Sequence, residues 1–374
     1  MASTTTVATT TWVLSCRSDR KPLLRRLCGG VSRNFILAAS LLGALLPAAR
    51  AERAYVSNED GDSISVIDTD RGAVVATIDV GKRPRGLKVD HDGKRLFVAV
   101  SGLPKCPPTV PDEECAKLKR DVSADGIAIV DTTSHKVVKV IPAGSDPEQF
   151  ALTPDGKRLF VANEDAGRAS VVDIASGKVV ASIAVGTEPE GVAVSPDGRW
   201  ALVTSESNHS VALIDTSTLK VLRSMEVGQR PRDIAFTPDS ASAYVTGETD
   251  ASLYRVDVKQ NSPGRRVLQL RKEARPMAVI LDAPRNRLYV STGRGGTVAV
   301  IDVAQSGEAK LVAEVAVGAR PWGMALSADG TRLYTANGPS NDVSVVDTST
   351  LRTIKKIPVG ASPWGVALGS PPRQ

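Results

Sequence analysis

The sequence predicts an all-β fold, a seven-bladed β-propeller of four-stranded antiparallel blades. Three observations predict it: a repeat of about 42 residues, four short strand-like runs in each repeat, and a chain that starts and stops in mid-repeat. The repeat is clearest over residues 185–228, VGTEPEGVAVSPDGRWALVTSESNHSVALIDTSTLKVLRSMEVG. Its landmark proline recurs at Pro84, Pro147, Pro189, Pro231, Pro276, Pro321 and Pro363, with spacings of 63, 42, 42, 45, 45 and 42 residues. The aspartate that closes a Val-Ile-Asp run recurs at Asp68, Asp131, Asp173, Asp215, Asp257, Asp302 and Asp347. A period of this size marks a solenoid, a propeller or an array.

The unit selects the propeller. Residues 191–195, 200–204, 210–214 and 220–227 are runs rich in valine and other strand formers, each bounded by turn residues. The Ser-Pro-Asp-Gly segment at 195–198 suits a type I turn, and Asp215 stands where a carboxylate accepts turn N–H groups. Tight connections make the four strands one antiparallel meander, and such meanders repeated radially form a propeller. The chain enters in mid-repeat at Ala54 and ends on a Pro-Trp-Gly strand beginning at Pro363. The last strand is therefore expected to be the innermost strand of the first blade, which closes the ring and removes an open edge.

The formal charge of +6 does not point to nucleic acid. Residues 1–51 hold seven Lys/Arg against one acid, and the remaining chain carries forty of each. The apolar run 35–46 follows Arg25, Arg26 and Arg33 and precedes Ala49-Arg-Ala51, the pattern of a secretory leader cut after Ala51. Its twelve residues fall short of the roughly 18 a membrane span needs. The expected organisation is a leader at 1–51, a propeller at 52–369 and a disordered tail at 370–374, with a periplasmic address. Cys106 and Cys115 remain after the leader, closing a short loop in an insertion at 101–126, and in an oxidising compartment they are expected to pair. The acids and bases of 112–119 suit one short helix there.

Familiar catalytic spacings are missing. There is no Cys-x-x-Cys-His, no Gly-x-Ser-x-Gly, no phosphate loop and no zinc-protease helix. His91 and His135 belong to one rim and His209 to the other, so no three-histidine site is expected, and no metal or cofactor is assigned. Comparing the repeats with one another is more productive. The residue after each landmark proline is Arg85, Glu148, Glu190, Arg232, Met277, Trp322 or Trp364, at the mouth of the central channel. Loops after the second strands reach the same rim with Glu59, Glu164, Glu206 and Glu248. One reading is a binding face of charges and exposed tryptophans. The other is solvated Arg–Glu pairs between blades, with the tryptophans plugging the channel.

The units Val-Gly-x-x-Pro-x-Gly, Ser-Pro-Asp-Gly, Leu-Tyr/Phe-Val-Ala-Asn and Val-Ile-Asp-Thr resemble the YVTN-type β-propeller repeat across nearly all of 54–368. With the insertion KCPPTVPDEEC and the opening AYVSNED, the chain resembles the periplasmic propellers associated with PQQ-dependent catabolism. That resemblance implies an exported, non-enzymatic accessory protein binding a periplasmic dehydrogenase or c-type cytochrome, and supplies no catalytic residues. The tryptophan docking repeats and adjacent cysteines of quinoprotein dehydrogenases are missing, so PQQ is not assigned as a cofactor. Two further readings stand beside it: a lactonase-like hydrolase using the rim carboxylates, and a structural cell-surface repeat protein.

Overall fold

A computed structural model describes residues 52–105, 112–115, 117–304 and 308–369. The expected leader, the tail and the pairing of Cys106 with Cys115 lie outside the described residues. Within them the chain forms seven four-stranded sheets. In the clearest repeat these are Pro189–Val194, Trp200–Ser205, Ser210–Asp215 and Lys220–Glu226, innermost to outermost, all antiparallel. Each innermost strand packs on that of the next blade around the whole ring.

The ring closes as its half-repeats require. Strand Pro363–Gly369 pairs with Arg53–Asn58, with Val56 opposite Val366, and completes the blade of Ser63–Asp68 and Ala73–Asp79. This covers the edge that the first strand would otherwise expose. The turns obey their chemistry: the Gly198 N–H donates to the Ser195 carbonyl at 2.8 Å, and Asp215 accepts from the amides of Ser217 and Thr218 at 2.9 and 2.8 Å. Asp68, Asp131, Asp173, Asp257 and Asp347 do the same in their own blades. Asp302 instead receives Arg287.

The core lies between blades rather than at the centre. Phe160 and Val171 of the third blade, for example, share one apolar cluster with Val203 and Ile214 of the fourth. Where a glycine follows the landmark proline by two, the next innermost strand approaches too closely for a side chain. A Cβ on Gly191 would stand 2.1 Å from the carbonyl oxygen of Arg232, which is why glycine follows the proline by two in four of the seven repeats.

The second blade departs from the pattern. Its innermost strand is only Leu87–Val89, and its insertion lies between Arg95–Val100 and Gly126–Asp131, as expected. The short helix is Asp112–Cys115, less than the expected 112–119, with Lys117 in a turn. Too few backbone bonds repay the ordering of a longer one. Salt bridges strap the insertion to both neighbours, Lys105 to Asp60 at 2.9 Å and Arg120 to Asp165 at 2.6 Å.

Candidate functional site

The chain reaches the channel mouth at each landmark proline through a strained step. The residue just before it has left-handed backbone in all seven repeats, with φ of 43° to 52° at Arg83, Asp146, Glu188, Arg230, Arg275, Arg320 and Ser362. None is glycine, and such outliers persist only where surrounding structure holds them. They crown a cavity of about 290 Å³ that gathers Glu59, Arg85, Glu148, Glu164, Arg232, Trp322 and Trp364 from the expected set, together with Arg83, Lys105, Arg230 and Arg320.

Two arginine-centred clusters build one side. Arg85, 2% exposed, ion-pairs with Asp146, with Glu148 at 3.1 Å and with Glu164 at 3.5 Å. Asp146 also accepts from Ser101 at 2.5 Å. Three repeats on, Arg232 ion-pairs with Glu190, Glu206 and, at 2.7 Å, Glu248. The expected pairing across blades is present, but these are not solvated pairs. Glu190 and Glu206 are 3% and 2% exposed, because the neighbouring blades close over them. Removing one partner of such a buried group strands the other charge.

The other side is aromatic. Trp322 and Trp364 stack with centroids 5.6 Å apart, and Arg320 lies 4.9 Å over the Trp322 ring. Trp322 is half-buried and Trp364 only 5% exposed, so the expected pair of exposed tryptophans is corrected. Trp364 follows Pro363 into the channel, where the innermost strands converge. It lines both the mouth and the cavity of about 480 Å³ entered from the opposite face, and so forms the floor between them. Met277 is buried beside this sector.

Protonation divides the carboxylates. Repulsion from Glu148 first, then burial, pushes Glu164 up to about 9. Glu164 therefore keeps its proton at neutral pH, beside the Glu148 carboxyl group that Arg85 holds more closely, at 3.1 Å against 3.5 Å. Burial lifts Glu206 to about 7 against the pull of Arg230. Burial opposes the Arg85 charge, yet Glu148, Asp146 and Glu164 more than reverse it and hold the guanidinium charged. The arrangement offers one acid and one base on adjacent carboxylates, the division that hydrolytic carboxylate pairs use.

Reading the repeats at one offset missed half the mouth. The residues before the prolines, Arg83, Asp146, Glu188, Arg230, Arg275, Arg320 and Ser362, vary inside the same constant frame, and the same comparison two positions earlier finds them. Among the described residues no group of three or more His, Cys, Asp and Glu is arranged to hold a metal ion. No described helix is long and apolar enough to cross a membrane.

Two family models match parts of the chain, "Cytochrome D1 heme domain" over residues 118–249 and "Lactonase, 7-bladed beta-propeller" over residues 215–363. A curated relative, antigen Lp49 of Leptospira interrogans, is 28% identical over 109 residues, which span 29% of this chain and 22% of that protein. Among solved structures, a hydrazine synthase chain of Kuenenia stuttgartiensis is similar at 22% identity and TM-score 0.66, covering 84% of this chain and 99% of its own. A periplasmic gluconolactonase of Pseudomonas aeruginosa is similar at 20% identity and TM-score 0.67, covering 85% and 99%. A functionally unknown protein of Desulfotomaculum acetoxidans follows at 18% and 0.70, covering 86% and 100%. At these identities the structural likeness shows the fold.

Proposed function

We propose that the protein is an exported lactone hydrolase whose active site is the channel mouth. The observation that carries this reading is the pair of carboxyl groups of Glu164 and Glu148, the first pushed up to about 9 by the second, in a cavity walled by stacked tryptophans. In the proposed step the Glu148 carboxylate takes a proton from water as its oxygen adds to the lactone carbonyl. The acyl C–O bond then breaks, and Glu164 gives its proton to the leaving alkoxide, so lactone and water become a hydroxy acid. The pair regains its starting state when the proton passes from Glu148 to Glu164. Trp322, stacked on Trp364 and lying under Arg320, walls the cavity beside the two carboxyl groups, and the composition of residues 1–51 supports a periplasmic address. The lactonase-type family match over residues 215–363 supports this reading. The test is acid release from a panel of γ- and δ-lactones, with and without Ca²⁺ or Mg²⁺. Saturable turnover above the spontaneous rate is expected, and none in either condition would reject it.

A second reading rests on the match to a cytochrome d1 haem domain over residues 118–249 and on half-buried Trp322 at the rim. In it the mouth captures a periplasmic partner, a PQQ-dependent dehydrogenase or its c-type cytochrome, as an accessory protein. Affinity capture from periplasmic extract, with Trp322→Ala as control, is expected to retain such a protein on the wild type alone if this reading holds.

A further inference from the structure

At two places in the ring, among the described residues, charges pair by register. The residue before the proline of one blade meets the first residue of the second-to-third-strand loop of the blade before it. Arg83 thus holds Glu59 at 3.0 Å, and Arg230 holds Glu206 at 2.5 Å. The seventh blade places Arg320 at this position with the same left-handed backbone, φ 49° against 43° and 51°. The sixth blade answers with Gly293, not glutamate. The register is intact: the Gly293 N–H donates to the Arg275 carbonyl at 2.8 Å, as Glu206 N–H donates to that of Glu188 at 3.0 Å.

Arg320 therefore stands at this position without the glutamate that answers Arg83 and Arg230. Its guanidinium lies over Trp322 and makes no hydrogen bond or ion pair among the described residues. Glu248, whose field reaches it, is engaged by Arg232 at 2.7 Å. Arg294, next to Gly293, also has no carboxylate partner among the described residues, and the two like charges repel. The indole N–H groups of Trp322 and Trp364 likewise have no acceptor among them. This sector presents donors and positive charge without an acceptor, the reverse of the opposite side.

We propose that the Arg320 sector binds the carboxylate of a small organic acid, the ligand supplying the counter-ion that Gly293 withholds. The inference rests on the mouth being the ligand site, and it deepens the hydrolase reading: opening a lactone creates a carboxylate, and Arg320 receives it. Arginine suits this role because its planar fork matches a carboxylate bidentately.

The experiment titrates the purified protein with gluconate, inorganic phosphate and glucose at low and high salt, read by indole fluorescence from Trp322 and Trp364. Gluconate is expected to bind, to weaken with salt and to bind about tenfold or more weakly to Arg320→Gln, a loss typical of one charge-assisted contact. Arg320→Gln is expected to melt as the wild type does, since the residue is exposed at the rim. Arg294→Gln is expected to weaken binding less. Glucose binding as tightly as gluconate, phosphate binding as tightly as gluconate, or an unchanged Arg320→Gln would each overturn the inference. The hydrolase reading fails separately: gluconate binding that Arg320→Gln removes, with no lactone turned over, keeps the acid site and rejects the chemistry. Lactone turnover untouched by Arg320→Gln, with no selective gluconate binding, does the reverse.

Discussion

The two sides of the channel mouth are made from the same positions of the same repeat, and they do opposite things with charge. From the first to the fifth blade, arginines and acids answer one another and the blades bury them, as around Arg85 and Arg232. In the sixth and seventh, glycines 293 and 338 stand where the acids were, Met277 and Trp322 stand where the charges were, with Trp364 beside them on the strand that completes the first blade, and Arg320 is left without a counter-ion among the described residues. A repeat protein repeats its structural duties, so the sector that breaks the pairing is where a ligand's own charge and ring fit.

The largest expected difference between the sides is in stability. Arg85→Met leaves Asp146 and Glu148 as buried, uncompensated charges and should cost about 3–5 kcal/mol. Arg320→Met should stay within about 1 kcal/mol, the scale of its contact with Trp322. Denaturant unfolding of both variants checks this, and equal losses would erase the distinction between paired and unpaired arginines.

Next comes the backbone that sets the mouth's width. Gly191→Ala puts a methyl against the Arg232 carbonyl and should cost about 1–3 kcal/mol in the same assay. A Cβ on Gly338 meets only atoms at 3.7 Å, so Gly338→Ala should be nearly neutral. A loss at Gly338 matching that at Gly191 would mean that both sides are equally tight.

The pH dependence of stability sharpens the protonation of the charged side. The folded protein holds the Glu164 proton up to about pH 9, whereas the unfolded chain releases it near 4.5. The stability this group contributes is therefore fully present below about pH 4.5 and is lost progressively as pH rises to about 9. Thermal melts across that range should show a steeper decline for wild type than for Glu164→Gln, whose amide does not titrate. Parallel curves would place the proton elsewhere.

The fold was legible in the sequence because a propeller writes its architecture seven times. Prolines at fixed intervals and Val-Ile-Asp runs specify strands, turns and closure before any contact is known. The charged side of the site was legible too, since Arg85, Glu148, Glu190 and Arg232 vary where the frame does not. Depth was not. Arginine and glutamate are ordinarily surface residues, and nothing in the local sequence says that neighbouring blades close over Glu190 and Glu206 to leave them 3% and 2% exposed. Nor did Trp364 announce itself as a floor, because its burial comes from strands far along the chain. Gly293 was invisible for another reason: its meaning is the glutamate it lacks, and only the observed pairing of Arg83 with Glu59 shows what is missing.

The measurement that tests the central claim most directly is the pH–rate profile of lactone hydrolysis by wild type and Glu164→Gln, corrected for spontaneous opening. The account predicts saturable turnover that falls as pH rises through about 9, where Glu164 loses its proton. It also predicts a loss of about 10²-fold or more in Glu164→Gln with the fold intact. Turnover in Glu164→Gln equal to wild type, or a profile flat through pH 9, would contradict it.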